Sequence, residues 1–210
     1  MAPAITPWKT ARLIALDLEG SGAQDRDNEA ILEIAVVPLT NGEPDMHASF
    51  CSLVNPSRRI RQGPWISPGL TNTVLATAPS LRDIEPQLAD RLDGATIVGH
   101  NVAVDWRLLH RRCPTVQPAG LIDTLRLARH LRAGEKGRSL GTLVDKLGLR
   151  PKVDRLAASS QTHRALWDAV ASGLLLAALI DEQPGEQSHE WLLAAAGVPI
   201  ELEPEAPRLF

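Results

Sequence analysis

Two acids, Asp17 and Glu19, close the apolar run LIALDLEG at residues 13–20. Side chains at i and i+2 of a strand point to the same face, so both carboxylates converge on one spot. Like charges that close repel, and burial adds to the cost; a divalent cation relieves both. Oxygen donors without a Cys or His cluster point to Mg²⁺ or Mn²⁺ rather than structural zinc. Taken alone, the pair also reads as ordinary exposed acids at a strand end. Other residues could join it. Asp105 falls early in a helical stretch, GHNVAVDWRLL, where an acid also complements the helix dipole. Asp168 lies in HRALWDAVASGLLLAAL beside Ala169, Gly173 and Leu176, near a packed face where a carboxylate needs a partner. His163 precedes it by five residues. Five residues turn a helix by about 140°, so the two would not share a helical face and His163 belongs in a loop or first turn. Beside carboxylates, an imidazole is a candidate general base, because imidazoles titrate near neutral pH.

These residues need a frame. Residues 11–18 read as a central strand buried on both faces, followed by strands over 30–39 and 47–56 with a turn, NGEPD, between the second and third. Three sequential strands with short links predict an antiparallel meander. Residues 57–77 read as irregular. Leu81, Ile84, Leu88 and Leu92 have helical spacing, with Pro79 and Ser80 as a start signal. A strand at 95–101, a helix with Leu108 and Leu109 facing inward, and a strand at 120–123 follow. Asp123 is placed to cap the next helix, Ser139 to open another that Gly148 closes, and residues 161–181 hold the last long helix. Beyond it come a Pro, Glu and Gln-rich link, a helical piece around HEWLLAAAG and an acidic end. The order predicts an α/β sheet with antiparallel and parallel parts.

Asp-x-Glu at Asp17–Glu19, His-Asn-x-x-x-Asp at His100, Asn101 and Asp105, and His-x-x-x-x-Asp-Ala at His163, Asp168 and Ala169 occur in that order. With IDTLRLAR, SLGTLVDKLGL and PGLTNTVLATAPS between them, the chain resembles the DEDDh branch of the DnaQ-like 3′–5′ exonucleases over residues 11–181. The resemblance implies an RNase H-like mixed sheet, three antiparallel strands followed by parallel ones, flanked by helices. It implies an exonuclease domain at 1–182, with a linker and acidic C-terminal tail at 183–210. It also implies hydrolysis of nucleic acid from the 3′ end, DNA or RNA, to nucleoside 5′-monophosphates with two divalent ions, Mg²⁺ or Mn²⁺. Asp17, Glu19, Asp105 and Asp168 are the implied metal ligands and His163 the implied general base. Gly20, Ser21, Asn101 and Val104 are the implied substrate contacts. Three positions depart from the family pattern. Gly20-Ser21 stands where Thr is common after the Glu, Val104 where Phe is common before the Asp, and Pro68-Gly69 where His-Gly is common. They bear on substrate preference and leave the acids intact.

The remaining features bound the partners. The net charge of −3 conceals a basic middle: residues 105–164 hold thirteen Lys or Arg against five Asp or Glu. That balance suits an anionic partner or a solvated helix face. Arg107, Arg111, Arg112, Arg126, Arg129 and Arg132 could line a phosphate track. With no Tyr and two Phe, base stacking would fall mainly to Trp, with Trp65 and Trp106 as candidates against plain packing. Glu33 reads as structural. Two cysteines without metal or disulfide spacing, no membrane-length apolar run and no signal-peptide pattern lead to the expectation of a cytoplasmic protein away from membranes. A terminal Leu209-Phe210 faintly resembles sliding-clamp peptides, so a clamp or a polymerase is a weaker partner expectation. Two alternatives stand beside the nuclease reading: a catalytically weak binding or polymerase-associated subunit, and an unrelated α/β protein with incidental acids.

Overall fold

The first apolar run forms β1 (Leu13–Gly20), with Leu13 to Leu16 and Leu18 buried. The computed structural model describes residues 6–201, the side chain of Arg26 excepted. In chain order β1 is followed by β2 (Ile31–Thr40), β3 (Glu43–Pro44), β4 (Phe50–Leu53), α1 (Asn72–Leu75), α2 (Leu81–Leu92), β5 (Thr96–Gly99) and α3 (Ala103–Arg112). Then come β6 (Gly120–Asp123), α4 (Thr124–Leu131), α5 (Leu140–Lys146), α6 (Arg150–Leu156), α7 (Ala165–Asp181), α8 (His189–Ala196) and β7 (Gly197–Val198). Short 3₁₀ turns cover Trp8–Thr10 and Ala23–Asn28.

One mixed sheet holds all seven strands in the order β3-β2-β1-β5-β6-β7, with β4 also paired to β2. β1, β2 and β4 form the antiparallel trio, and β5 and β6 run parallel to β1. This is the expected RNase H-like arrangement. Short β3 and α1 escape the sequence pattern because each offers too few residues for a period to show, and α6, as long as α5, lacks the serine cap that announces α5.

The alternation of β1 divides the core. Ala15 faces α7 together with Val37, Val98 and Ile122, while Leu16 and Leu18 face α2 and α3. α7 is apolar almost all round, which suits a helix buried on every side. A Cβ at Gly173 would come within 2.8 Å of the Leu39 side chain, so glycine there lets α7 lie close to the sheet. Its first turn is thereby fixed over the end of β1.

From Ser188 onward the chain returns to the sheet. β7 pairs antiparallel with β6, and Leu192 and Ala196 of α8 are buried. The Trp106 indole N–H donates to the Ile200 carbonyl at 2.8 Å, and Trp106 is 1% exposed. Its expected choice between stacking and packing therefore falls to packing. Leu209-Phe210 lie outside the described residues. Among the described residues no helix is long and apolar enough to cross a membrane.

Candidate active site

Carboxylate oxygens of Asp17, Glu19 and Asp168 all lie within 4.8 Å of one another. Asp17 and Glu19 come from the end of β1 and share a face, as their spacing requires. Asp168 comes from the first turn of α7. Asp105, in the first turn of α3, approaches from the side: its Oδ1 accepts the Leu18 N–H at 3.1 Å, which ties it to β1 between the two strand acids.

Their electrostatics are those of crowded anions. Burial pushes Asp17 well above the usual carboxylate range, and the charges of Asp105, Asp168 and Glu19 add to the rise. Burial raises Glu19 to about 7, against a lowering hydrogen bond from Ser67. Asp105 rises to about 7 by burial, against the Leu18 N–H, and Asp168 to about 7 by burial, against the His163 backbone N–H. Such a donor set fits a hard divalent cation, which takes oxygen ligands and replaces the protons these acids would otherwise hold. Metal binding must then release protons. Mn²⁺ affinity measured by titration calorimetry should rise about tenfold or more between pH 6 and pH 8. A pH-independent affinity would separate these acids from the metal.

His163 sits in the turn before α7 with φ 63° and is exposed. The turn leads directly into the first turn of α7, which carries Asp168, so His163 stands off the helix as the five-residue spacing requires. The next residue explains how that turn is held. Arg164 forks onto Glu33 with Nε–Oε2 and Nη2–Oε1 both at 2.7 Å, and Glu33 is 4% exposed. Glu33 lies directly across β1–β2 from Glu19. Its Oε2 also accepts the Ala165 N–H at 3.2 Å, so a strand carboxylate caps α7 where no local side chain does. Glu33 thus holds the turn through Arg164 and the Ala165 N–H, and its charge still adds to the rise of Asp17, Glu19 and Asp168.

The expected substrate contacts divide. Asn101 is exposed at φ 64°, its backbone N–H donating to Asp123 Oδ1 at 2.8 Å. Val104 is 48% exposed on the outer side of the first turn of α3. Gly20 follows a bulge in the β1–β2 register, and a Cβ there would meet Glu29 at 3.0 Å and Leu108 at 3.2 Å. Ser21 is a correction. It is buried and its Oγ accepts the Ala30 N–H at 2.9 Å, so it stabilises the loop rather than facing a ligand. Arg132 is likewise drawn off the expected basic track by ion pairs to Glu135 and Glu182. His100 bonds Thr124 Oγ1 and the Arg138 carbonyl, each at 2.9 Å, and Asp123 caps α4 through the Leu125 N–H as its position requires.

Sequence reasoning missed Ser67, whose hydroxyl donates to Glu19. The Arg164 Nη1 reaches the Pro68 carbonyl at 3.4 Å. Together these contacts lay the segment containing Trp65, which is 40% exposed, along the cluster. No local pattern marks a serine that meets its partner 48 residues away.

Residues 14–176 match a family model described as RNase_T, Exonuclease. A DNA polymerase III subunit epsilon-like protein of Rhodobacter capsulatus is 29% identical over 175 residues, 81% of this chain and 24% of that protein. A DNA polymerase III PolC-type of Thermotoga petrophila is 32% identical over 168 residues, 77% of this chain and 11% of the relative. The 3′–5′ exonuclease DinG of Bacillus subtilis is 26% identical over 175 residues, 81% of this chain and 18% of its own length. The chain therefore spans about a quarter or less of these relatives. Among solved structures, Exonuclease X in complex with 5′ overhanging duplex DNA matches with a TM-score of 0.64 at 26% identity, over 87% of this chain and 98% of that one.

Proposed function

This chain belongs to the RNase_T exonuclease family, and on that premise we propose that it is a 3′–5′ exonuclease releasing nucleoside 5′-monophosphates from nucleic acid. The observation that carries this reading is the convergence of Asp17, Glu19 and Asp168 on one point, with His163 in the turn that leads into the helix of Asp168. Asp17, Glu19 and Asp168, with Asp105 alongside, would hold two divalent ions, Mg²⁺ or Mn²⁺. Bound there, the ions supply charge stabilisation to the attacking and leaving oxygens of the phosphodiester.

The chain's own residues do the rest. His163 accepts the proton of the attacking water on its imidazole nitrogen. The His163 backbone N–H and the Glu33–Arg164 fork keep Asp168 and the turn in place. Val104 offers an apolar surface, and Asn101 a carboxamide, to the terminal nucleotide. DNA is the first substrate to test and RNA the second. Association with a polymerase is a further proposal, suggested by relatives that are named as polymerase III proteins.

The test is hydrolysis of 5′-labelled single-stranded DNA and its RNA counterpart with Mg²⁺, with Mn²⁺ and with EDTA. A ladder shortening from the 3′ end, lost in EDTA, is expected. No cleavage by folded protein would favour the binding-subunit reading, and weak Mn²⁺ binding would confirm that alternative.

A further inference from the structure

Away from the carboxylates, Arg58, Arg82 and Arg112 line one cavity of about 420 Å³. They come from three places: the segment after β4, the first turn of α2 and the last turn of α3. No Asp or Glu lies in its lining among the described residues, and Ile31, Val54 and Leu81 contribute apolar wall. Two of the guanidiniums are pre-oriented. Arg112 donates from Nε to the Glu29 carbonyl at 2.7 Å and from Nη2 to the Asp27 carbonyl at 2.5 Å. Carbonyls orient a guanidinium without cancelling its charge. Arg58 donates to the Asn28 carbonyl at 2.8 Å and is paired with Asp25 at 2.8 Å, which offsets one of the three charges. Arg82 is exposed, and its neighbour Asp83, held by the Ser80 N–H at 2.9 Å and the Ser80 hydroxyl at 2.6 Å, offsets part of its charge. The lining itself thus carries three guanidiniums and no carboxylate over an apolar wall, which is the surface of a site for a phosphate ester.

Its position gives the site a purpose. Gly20 at the end of β1 pairs with Ile31 at the start of β2, so the cavity opens at the same end of the sheet as the carboxylates, on the α2 and α3 side, and a substrate strand leaving the cluster reaches it by passing around that end. Asp105 and Arg112 sit on one helix seven residues apart, about 10 Å at 1.5 Å per residue. That is the rise of about three stacked nucleotides at 3.4 Å each.

We propose that the Arg58–Arg82–Arg112 cavity is a second nucleic-acid contact that binds a backbone phosphate of the substrate about three nucleotides from the scissile end. The proposal rests on the exonuclease reading for its substrate, but the site is testable without hydrolysis. A phosphate could also come from a free mononucleotide, and the experiment separates the two sources.

The experiment uses the full chain with Arg82→Glu and Arg82→Ala, each checked by thermal melting. Anisotropy of a labelled thymidine octamer in EDTA reads binding alone. Hydrolysis of the octamer and of a thymidine dinucleotide in Mg²⁺ reads catalysis. Losing one charge-assisted phosphate contact should weaken octamer binding about tenfold. It should also flatten the slope of log affinity against log salt by about 0.7. KM for the octamer should rise with it, and kcat/KM for the dinucleotide should stay within about twofold of the parent, because surface changes away from the chemistry act little on it. Unchanged octamer binding in both variants would overturn the site. So would Arg82-dependent binding of thymidine 5′-monophosphate with the octamer unaffected, which would assign the cavity to free nucleotide. Absence of hydrolysis from every protein, with the binding difference intact, would remove the exonuclease reading and leave the phosphate site standing.

Discussion

Asp17→Asn should abolish hydrolysis and, in EDTA at pH 8, melt at a higher temperature than the parent. Both effects have one cause. Burial first, and the charges of Asp105, Asp168 and Glu19 next, push the Asp17 carboxyl well above its usual range. The metal-free folded state therefore holds protons that the unfolded chain has already released. Stability from these acids is fully present below the unfolded carboxylate values, near 4, and is lost as pH rises through folded values near 7. The amide removes one buried charge and leaves the shape. At pH 8 the gain should be on the order of 1–2 kcal/mol, or about 2–8 °C for a chain of this size. At pH 5 the difference should shrink. Saturating Mn²⁺ at pH 8 should reverse the order, because only the parent gains the binding free energy. Activity should fall on the order of 10³-fold or more, the several kcal/mol a divalent ion supplies. An active Asp17→Asn protein, or one that melts below the parent in EDTA at pH 8, would refute the assignment.

Part of that cluster was legible locally, and Asp105 and Asp168 joined it only through the order of motifs that carries the family resemblance. Asp17 and Glu19 declare a shared face through strand periodicity, and a long apolar run declares the strand. The offset of His163 from Asp168 excludes a common helical face, and the structure puts the histidine at φ 63° outside α7. Asp123 and Ser139 cap the helices they precede for the same local reason. Residues whose roles depend on distant partners were not legible. Ser67 reaches Glu19 only after the loop is laid over the sheet, and Arg164 finds Glu33 across 131 residues. Ser21 misled because a serine beside a catalytic strand is equally able to hold its own loop, and here the Ala30 N–H claims it. Trp106 takes the plain-packing role weighed for it, and its indole N–H finds a partner at Ile200, 94 residues away, that no local pattern announces.

His163→Ala should lower kcat by about 10²- to 10⁴-fold, the range for a lost general base. The backbone complicates the choice of variant. At φ 63° a residue with a Cβ carries strain on the order of 1–3 kcal/mol, and Asn, Asp and His adopt this conformation more readily than Ala. Alanine therefore removes the imidazole and leaves the strained turn, which also carries the N–H that lowers Asp168. His163→Asn separates the two, because asparagine accepts this conformation but cannot take a proton at neutral pH. If the imidazole is the base, Ala and Asn should lose kcat alike, and Mn²⁺ affinity should stay within about threefold of the parent, since the carboxylates are untouched. His163→Gly, which relaxes the turn, should be equally slow and should recover activity when imidazole is added to the assay. If the histidine only shapes the turn, Asn and Gly should restore most of the rate. A loss below tenfold in all variants would remove His163 from the proton transfer and leave the carboxylate cluster as the whole of the catalytic apparatus.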